Sequence, residues 1–348
     1  MVVLVCIYEI NELKLKVKST LEKMGNTVHM IYANHYHFGC SYIMKKLDEY
    51  GLHQFRRAYE KAWKKKFLAY IDREKPDLIL YVNAPTATLF PQDLDEVREH
   101  CQVVGTKQVV WFVDTLFDRE PHGIRPYLPY YDKIYVYEKK DVSFLQKKCL
   151  CDAAYIPVGF NDVYEHFPMD KKKKYKYDIV FVGSINKRRL QLLDEVAKAS
   201  AHHGWTLKVI MPCFEKRYFY KNLLLRLKYS SLMKTIDTDY ADSEDVARLY
   251  AHAKIVLNIH NDRAGSCNPR TFEIMSVGAF CLVDARDDYD DIVVGRDIDV
   301  YRDADELIEK IKFWLANDVA RERIAANGGV LARAQYSMAE SLKKVCSI

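Results

Sequence analysis

The sequence predicts an α/β protein of two parallel-sheet domains facing a cleft. Three observations carry that expectation. The first half alternates continuous apolar runs with helical periodicity, the pattern of strands covered on both faces. Around residues 158–177 the alternation stops in a polar, basic stretch. From Asp178 onward it starts again.

The bulk properties fit this division. A chain of 348 residues is long for one domain, and its 49% hydrophobic and 29% charged composition is that of a globular protein. The formal net charge of +5 gives no reason to expect nucleic acid. No run of 18 or more apolar residues suggests a membrane span. The start, MVVLVCIYEI, lacks a basic flank and a small-residue cleavage site, so it reads as a core strand and not a signal peptide. Nine scattered cysteines, with Cys149 and Cys151 as a lone C-x-C pair, argue against a zinc site and for a reducing cytoplasm.

The first half is expected to run as strand Val2 to Tyr8, helix Asn11 to Met24 stopped by Gly25, and strand Thr27 to Ala33. A long helix from Leu52 to Arg73 ends before Pro76. Four strands follow, Asp77 to Val82, Gln108 to Asp114, Lys133 to Tyr137 and Ala153 to Pro157, with helices at Gln92 to His100 and Lys140 to Cys149 among them. Residues 1–160 form the first domain in this reading. Residues 161–177, with the solvated run Lys171 to Lys174, form a linker, and 178–330 form the second domain. A C-terminal helix over 331–348 can cross back to the first. In the second domain, strand Asp178 to Val182 leads through Gly183-Ser184 into a helix near Lys187 to His203, with Leu190, Leu193, Val196 and Ala197 on its apolar face. Strands Trp205 to Ile210, Lys254 to Ile259, Ala279 to Val283 and Asp299 to Tyr301 follow. Ser243 is the expected cap of one helix, and Asp303 with Glu306 a capping box for another that ends near Ala316.

Two constellations carry chemistry. In the first, strand Lys254 to Ile259 runs through a polar loop into a helix that opens Asn268-Pro269-Arg270-Thr271-Phe272-Glu273. Proline suits a first helical position, and free N–H groups there attract anions. Arg270 and Glu273 share a helix face. The cation suits a phosphate and the carboxylate suits sugar hydroxyls, which points to a nucleotide sugar. An ordinary βαβ unit with a surface Arg–Glu pair has the same pattern. The second is Phe181-Val-Gly-Ser-Ile-Asn-Lys-Arg-Arg189, a strand, a glycine turn and a helix start with three cations that could neutralise a diphosphate. Both loops follow strand ends, where such domains gather ligands. Neither half has a dinucleotide glycine fingerprint, which disfavours an NAD enzyme.

With these blocks in view, the chain resembles the CgeB-like, group-1-like glycosyltransferases of the two-Rossmann, GT-B architecture. The resemblance is strongest from Asp178 to Val345, in FVGSINKRR, AKIVLNIH, NPRTFEIMSVGAFCLVD and the tail ending in the Arg323 to Gly328 turn. It is looser at Val109 to Asp114 and Tyr130 to Asp141. It implies a hexosyl-type transferase whose second domain binds a nucleoside-diphosphate sugar, with no cofactor. Glu273 would hold the ribose, Arg270 would face the diphosphate, Gly183 and Ser184 would lie under it, and Lys187 or Arg188 would add charge. Asn258 and His260 would line the pocket floor, Tyr240 would border the base, and Asn268 and Thr271 belong to the same donor-binding block. Two features depart from the pattern. Gly265 stands where retaining relatives carry a second glutamate, and Glu9-Ile10-Asn11-Glu12 replaces a glycine-rich loop.

Transfer needs a stabilised diphosphate leaving group, which Arg270 and the Lys187 to Arg189 cations can supply without a metal. Asp237-Thr-Asp239 matches a metal-binding pattern but lies just before a helix cap. The candidate base is Asp114, at the end of its strand, ahead of His35 and His37. The acceptor is a glycan, a protein or a lipid-linked molecule. Basic and aromatic residues interleave from Cys213 to Lys234, either as a helix resting at the inner face of the membrane or as one packed on its own sheet. Two other functions share these features: a non-catalytic binding or scaffold protein, and a nucleotide-sugar epimerase.

Overall fold

The computed structural model describes residues 1–7, 12–32, 50–52, 54–83, 91–116, 124–165, 167, 175–211, 225–238, 241–261 and 265–347. The chain divides into two units, one of residues 1–158 with 338–348, the other of residues 159–337.

The first unit holds a parallel sheet of six strands: β1 (Val2–Ile7), β2 (Thr27–Tyr32), β3 (Leu78–Val82), β4 (Lys107–Phe112), β5 (Lys133–Val136) and β6 (Ala153–Tyr155). Their order is β2-β1-β3-β4-β5-β6. Helices α1 (Glu12–Lys23), α2 (Gln54–Glu74), α3 (Pro91–Val104) and α4 (Lys139–Cys149) connect them. Strand residues alternate between two cores: Leu4, Cys6, Ile79 and Tyr81 feed one, and Val3, Val5, Leu78 and Leu80 the other. That double burial is why the strands read as unbroken apolar runs. The last helix, α12 (Met338–Cys346), belongs to this unit. Met338, Leu342 and Val345 share a core with Val17 and Leu21 of α1, and Ser341 Oγ donates to the Pro157 carbonyl at 2.7 Å.

The second unit repeats the design. Its strands are β7 (Tyr177–Val182), β8 (Leu207–Ile210), β9 (Ile236–Asp237), β10 (Ala253–Asn258), β11 (Cys281–Asp284) and β12 (Asp299–Tyr301), all parallel in the order β12-β11-β10-β7-β8-β9. The helices are α5 (Asp162–Glu165), α6 (Lys187–His203), α7 (Ser230–Met233), α8 (Ser243–Ala251), α9 (Pro269–Ser276), α10 (Ala304–Ala316) and α11 (Asp318–Gln335). Ile179 and Phe181 pack with Leu190 and Leu193 on one side, and Val180 and Val182 with Phe272 and Met275 on the other.

Several local expectations change. Asp242, not Ser243, caps α8, its side chain accepting from the Asp245 amide at 2.8 Å. Both residues are good caps, and the sequence does not choose between adjacent ones. Asp303 does cap α10 through the Glu306 amide, but Glu306 reaches back to the Arg302 amide at 2.8 Å. Residues 323–328 form no turn and lie inside α11, because Gly328 is a packing glycine. A Cβ there would stand 2.4 Å from the Asp297 carbonyl oxygen. Phe160 and Tyr164, in the stretch expected to be an exposed connection, are buried in the second unit's core. Asp237 is paired with Lys208 at 2.8 Å. Of the Cys213 to Lys234 segment, Tyr229 and Leu232 are buried with Leu193 and Met211 while Leu227 is exposed. This described part is a helical stretch packed on its own sheet. No helix among the described residues is long and apolar enough to cross a membrane.

Candidate functional site

In the second sheet the chain runs outward from β7 through β8 to β9 and then returns to β10, on the other side of β7. The change of direction makes the carboxyl ends of β7 and β10 a topological switch point, the place where an open α/β sheet offers a crevice to ligands. Two junctions meet there, β7 to α6 and β10 to α9.

Arg189 ties them together. It is 2% exposed, and its Nε and Nη2 donate to the Ile259 carbonyl at 2.8 and 2.7 Å. Its Nη1 donates to the carbonyl and hydroxyl of Ser184 at 2.8 and 2.9 Å. Asn186 caps α6 through the Arg189 amide and donates its own side-chain N–H to Asn261 at 3.1 Å. The three consecutive cations thus have three fates. Arg189 is buried structure. Arg188 is ion-paired to Asp284 at 2.6 Å and also donates to the His260 carbonyl at 3.2 Å. Lys187 is exposed.

The β10 to α9 junction is a closed polar network. Asn258, fully buried, donates to Asn268 Oδ1 and Thr271 Oγ1, both at 2.9 Å. Asn268 caps α9, its side chain accepting from the Thr271 amide. His260 is 3% exposed. Its amide and Nδ1 contact Asp284 Oδ1 at 3.0 and 2.7 Å, and its Nε2 accepts from the Asn268 amide at 3.1 Å. Burial pushes the Asp284 carboxyl up, but His260 and Arg188 more than offset this and hold it below the usual carboxylate range. Asn258 and His260 therefore brace α9, and their polar atoms face protein.

Arg270 projects from the first turn of α9. Its Nε is buried with no hydrogen-bond partner among the described residues. Its Nη1 lies 3.1 Å from the position a Cβ on Gly183 would take. Burial opposes its charge, yet Tyr250, Glu273 and Tyr164 hold the guanidinium above its usual range. Arg189 is affected oppositely: burial first, then the Arg270 charge, pulls it down to about 10, still protonated at neutral pH. Two guanidinium groups thus repel each other beneath one glycine turn. Glu273 is half-buried, and its carboxylate has no hydrogen-bond or ion-pair partner among the described residues.

The structure brings Gly183, Ser184, Arg188, Asn258, His260, Asn268, Arg270, Thr271 and Glu273 to these two junctions, with Lys187 exposed on the first turn of α6. Gly265 has φ +102°, a backbone that favours glycine, and its amide donates to Asp287 at 3.3 Å. Asp114 lies in the first unit, exposed after β4, where Asn83 Nδ2 donates to its carboxylate at 2.5 Å. Tyr240, His35, His37, Asp239 and Lys171 to Lys174 lie outside the described residues. Sequence reasoning gave no role to Asp284, Tyr250 or Asn83, and it treated Arg189 as a ligand cation. Its position does carry a signal, since residues 189, 193, 196 and 200 share one helix face and all four are buried.

Comparison with known proteins bears on the fold. No curated protein is similar to the chain in sequence. Among solved structures, a glycosyltransferase from Rickettsia africae superposes with a TM-score of 0.68 at 14% identity, over 99% of this chain and 96% of that one. Sucrose-phosphate synthase from Thermosynechococcus elongatus gives 0.67 at 13%, over 99% and 97%. HepE from Anabaena, solved in complex with UDP, gives 0.65 at 12%, over 99% and 98%. At such identities the likeness establishes the fold. Residues 188–347 match the family model described as glycosyl transferase-like. The chain therefore has the GT-B glycosyltransferase fold, and residues 188–347 carry a glycosyltransferase-like domain.

Proposed function

We propose that the protein is a hexosyl-type glycosyltransferase that binds a nucleoside-diphosphate sugar at the β7–β10 switch point and passes the sugar to an acceptor without a metal ion. The observation that carries this reading is Arg270, whose buried Nε lacks a hydrogen-bond partner among the described residues, beside a glycine turn. A buried guanidinium nitrogen without a partner calls for an anion to complete it. A diphosphate leaving group supplies one, and Arg270 and the exposed Lys187, with the positive end of the α9 dipole, would neutralise its developing charge. Arg188 contributes less, because Asp284 already compensates it. The Glu273 carboxylate, three residues further along the same helix face and without a hydrogen-bond partner among the described residues, suits the ribose hydroxyls. HepE, of the same fold, binds UDP and UDP-glucose. The FVGSINKRR and NPRTFE blocks are our reason for reading the chain as CgeB-like. Asp114, oriented by Asn83, is the candidate base of the first unit.

Calorimetry with UDP, other nucleoside diphosphates and inorganic pyrophosphate tests the assignment. Arg270→Ala is expected to weaken all of them about tenfold or more, the scale of a lost charged hydrogen bond. Glu273→Ala is expected to weaken nucleoside diphosphates but not pyrophosphate. Equal losses for both ligand classes would remove Glu273 from the ribose. Donor turnover that survives a chelator supports the metal-free reading, and turnover without any acceptor would favour an epimerase.

A further inference from the structure

Both ring nitrogens of His260 are committed to protein. A backbone amide can only donate, so the 3.1 Å contact from Asn268 identifies Nε2 as the unprotonated nitrogen. The proton then sits on Nδ1, which donates to Asp284 Oδ1 at 2.7 Å. Asp284 agrees with this assignment from the other end. It also accepts the His260 amide and the Arg188 guanidinium, the behaviour of a charged carboxylate. Neutral imidazole with its proton on Nδ1 is the tautomer both partners require.

The position of this ring matters because of what Asn268 does. It is the N-cap of α9, a helix of eight residues, too short to fix its own start. Its side chain is held by Asn258 and Thr271, and its amide by His260. Arg270 and Glu273 project from the turn this cap defines.

We propose that His260 is a positioning residue for the diphosphate site. In its neutral form it holds the Asn268 amide and fixes the first turn of α9, and on protonation it releases that turn. The imidazole does not touch the ligand. Taking up a proton at Nε2 would set one N–H against another, and the cap would lose its backbone anchor. The charged and polar groups that face the ring, among the described residues, are Asp284 from β11, Arg188 from α6 on the His260 carbonyl, and Asn268 from α9. Arg189 sits one residue away on the Ile259 carbonyl. The proposal rests on the reading of Arg270 as the diphosphate-binding cation.

The test is UDP affinity, measured by calorimetry from about pH 8 to about pH 5, the range in which histidine titrates, for the wild type, His260→Gln, His260→Ala and Arg270→Ala. Glutamine offers an uncharged acceptor near the Nε2 position. His260→Ala is expected to lose about tenfold in affinity at the upper pH, the scale of one buried hydrogen bond, and His260→Gln to recover most of it. The ratio of wild-type to His260→Gln affinity is expected to fall as pH is lowered. Titration of UDP itself cancels in that ratio. A constant ratio, or a His260→Ala protein that binds like the wild type, overturns the proposal. If the alanine protein does not fold, the glutamine ratio still decides. Unchanged binding by Arg270→Ala would overturn the anion site instead, a result that can be told apart from failure of His260 alone.

Discussion

Arg270 Nη1 and the missing Cβ of Gly183 are separated by 3.1 Å, so the glycine turn and the guanidinium share one space. Phe181 Cζ is nearer still, at 2.9 Å. Gly183→Ala therefore has to shift the Phe181 ring, and it also presses on the Arg270 guanidinium, whose flexible end gives way. The variant is expected to weaken UDP binding several-fold while costing about 1 kcal/mol of stability, near the lower limit for overpacking. Titration calorimetry and urea unfolding of the same protein separate the two effects. A variant that is much less stable yet binds normally would mean that Phe181 moved and Arg270 did not.

The neighbouring cations Lys187 and Arg188 make a second contrast. Arg188 is paired with a carboxylate that is 1% exposed, and exposed Lys187 has no hydrogen-bond or ion-pair partner among the described residues. Arg188→Ala would leave Asp284 with His260 as its remaining charge-stabilising partner. It is expected to cost about 3 kcal/mol of stability, because breaking a buried pair strands the other charge. Lys187→Ala is expected to leave stability unchanged and reduce UDP affinity roughly threefold, with an effect that fades as salt is added. Chemical denaturation and salt-dependent binding curves read these outcomes, and the reverse pattern would exchange the roles of the two residues.

Gly328 permits α11 to lie against the loop before β12. A methyl group at that position would meet the Asp297 carbonyl oxygen at 2.4 Å, and backbone cannot rotate away as a side chain can. Helix propensity favours alanine over glycine by roughly 1 kcal/mol, so a free helix would be stabilised by the same change. Here the clash is expected to win, and Gly328→Ala should lower stability by about 2–3 kcal/mol. A raised melting temperature would show that α11 can stand off from that loop.

These cases show which parts of the molecule the sequence exposes. Strand alternation and the two Rossmann-like sheets are legible because burial on both faces leaves continuous apolar runs such as Leu78 to Val82. The Asn268-Pro269 start of α9 is legible because cap chemistry is local. What each cation does is not. Lys187, Arg188 and Arg189 are consecutive, and successive helix positions point about 100° apart, so their destinations depend on strands far along the chain. Arg189 meets the Ile259 carbonyl, 70 residues away, and Arg188 meets Asp284, 96 residues away. His260 looks like a ligand-facing residue in a polar loop, and only the fold reveals that both its ring nitrogens are engaged.

Asp178 gives a test of electrostatics away from the switch point. Burial alone would raise its carboxyl, but Lys254 at 2.8 Å and the amide and hydroxyl of Thr206 hold it below the usual value. A depressed carboxylate stabilises the fold fully above the unfolded value of about 3.9, and that contribution disappears as pH falls through the folded value. Asp178→Asn keeps the shape and an acceptor for Thr206 but removes the charge facing Lys254. The wild type is therefore expected to exceed the variant by about 1 kcal/mol near pH 7, with the gap closing only below about pH 4. Urea midpoints measured across that range give the comparison. Because every other titrating group is common to both proteins, a gap that stays constant down to about pH 2 would mean that Asp178 stabilises by packing and not by its charge.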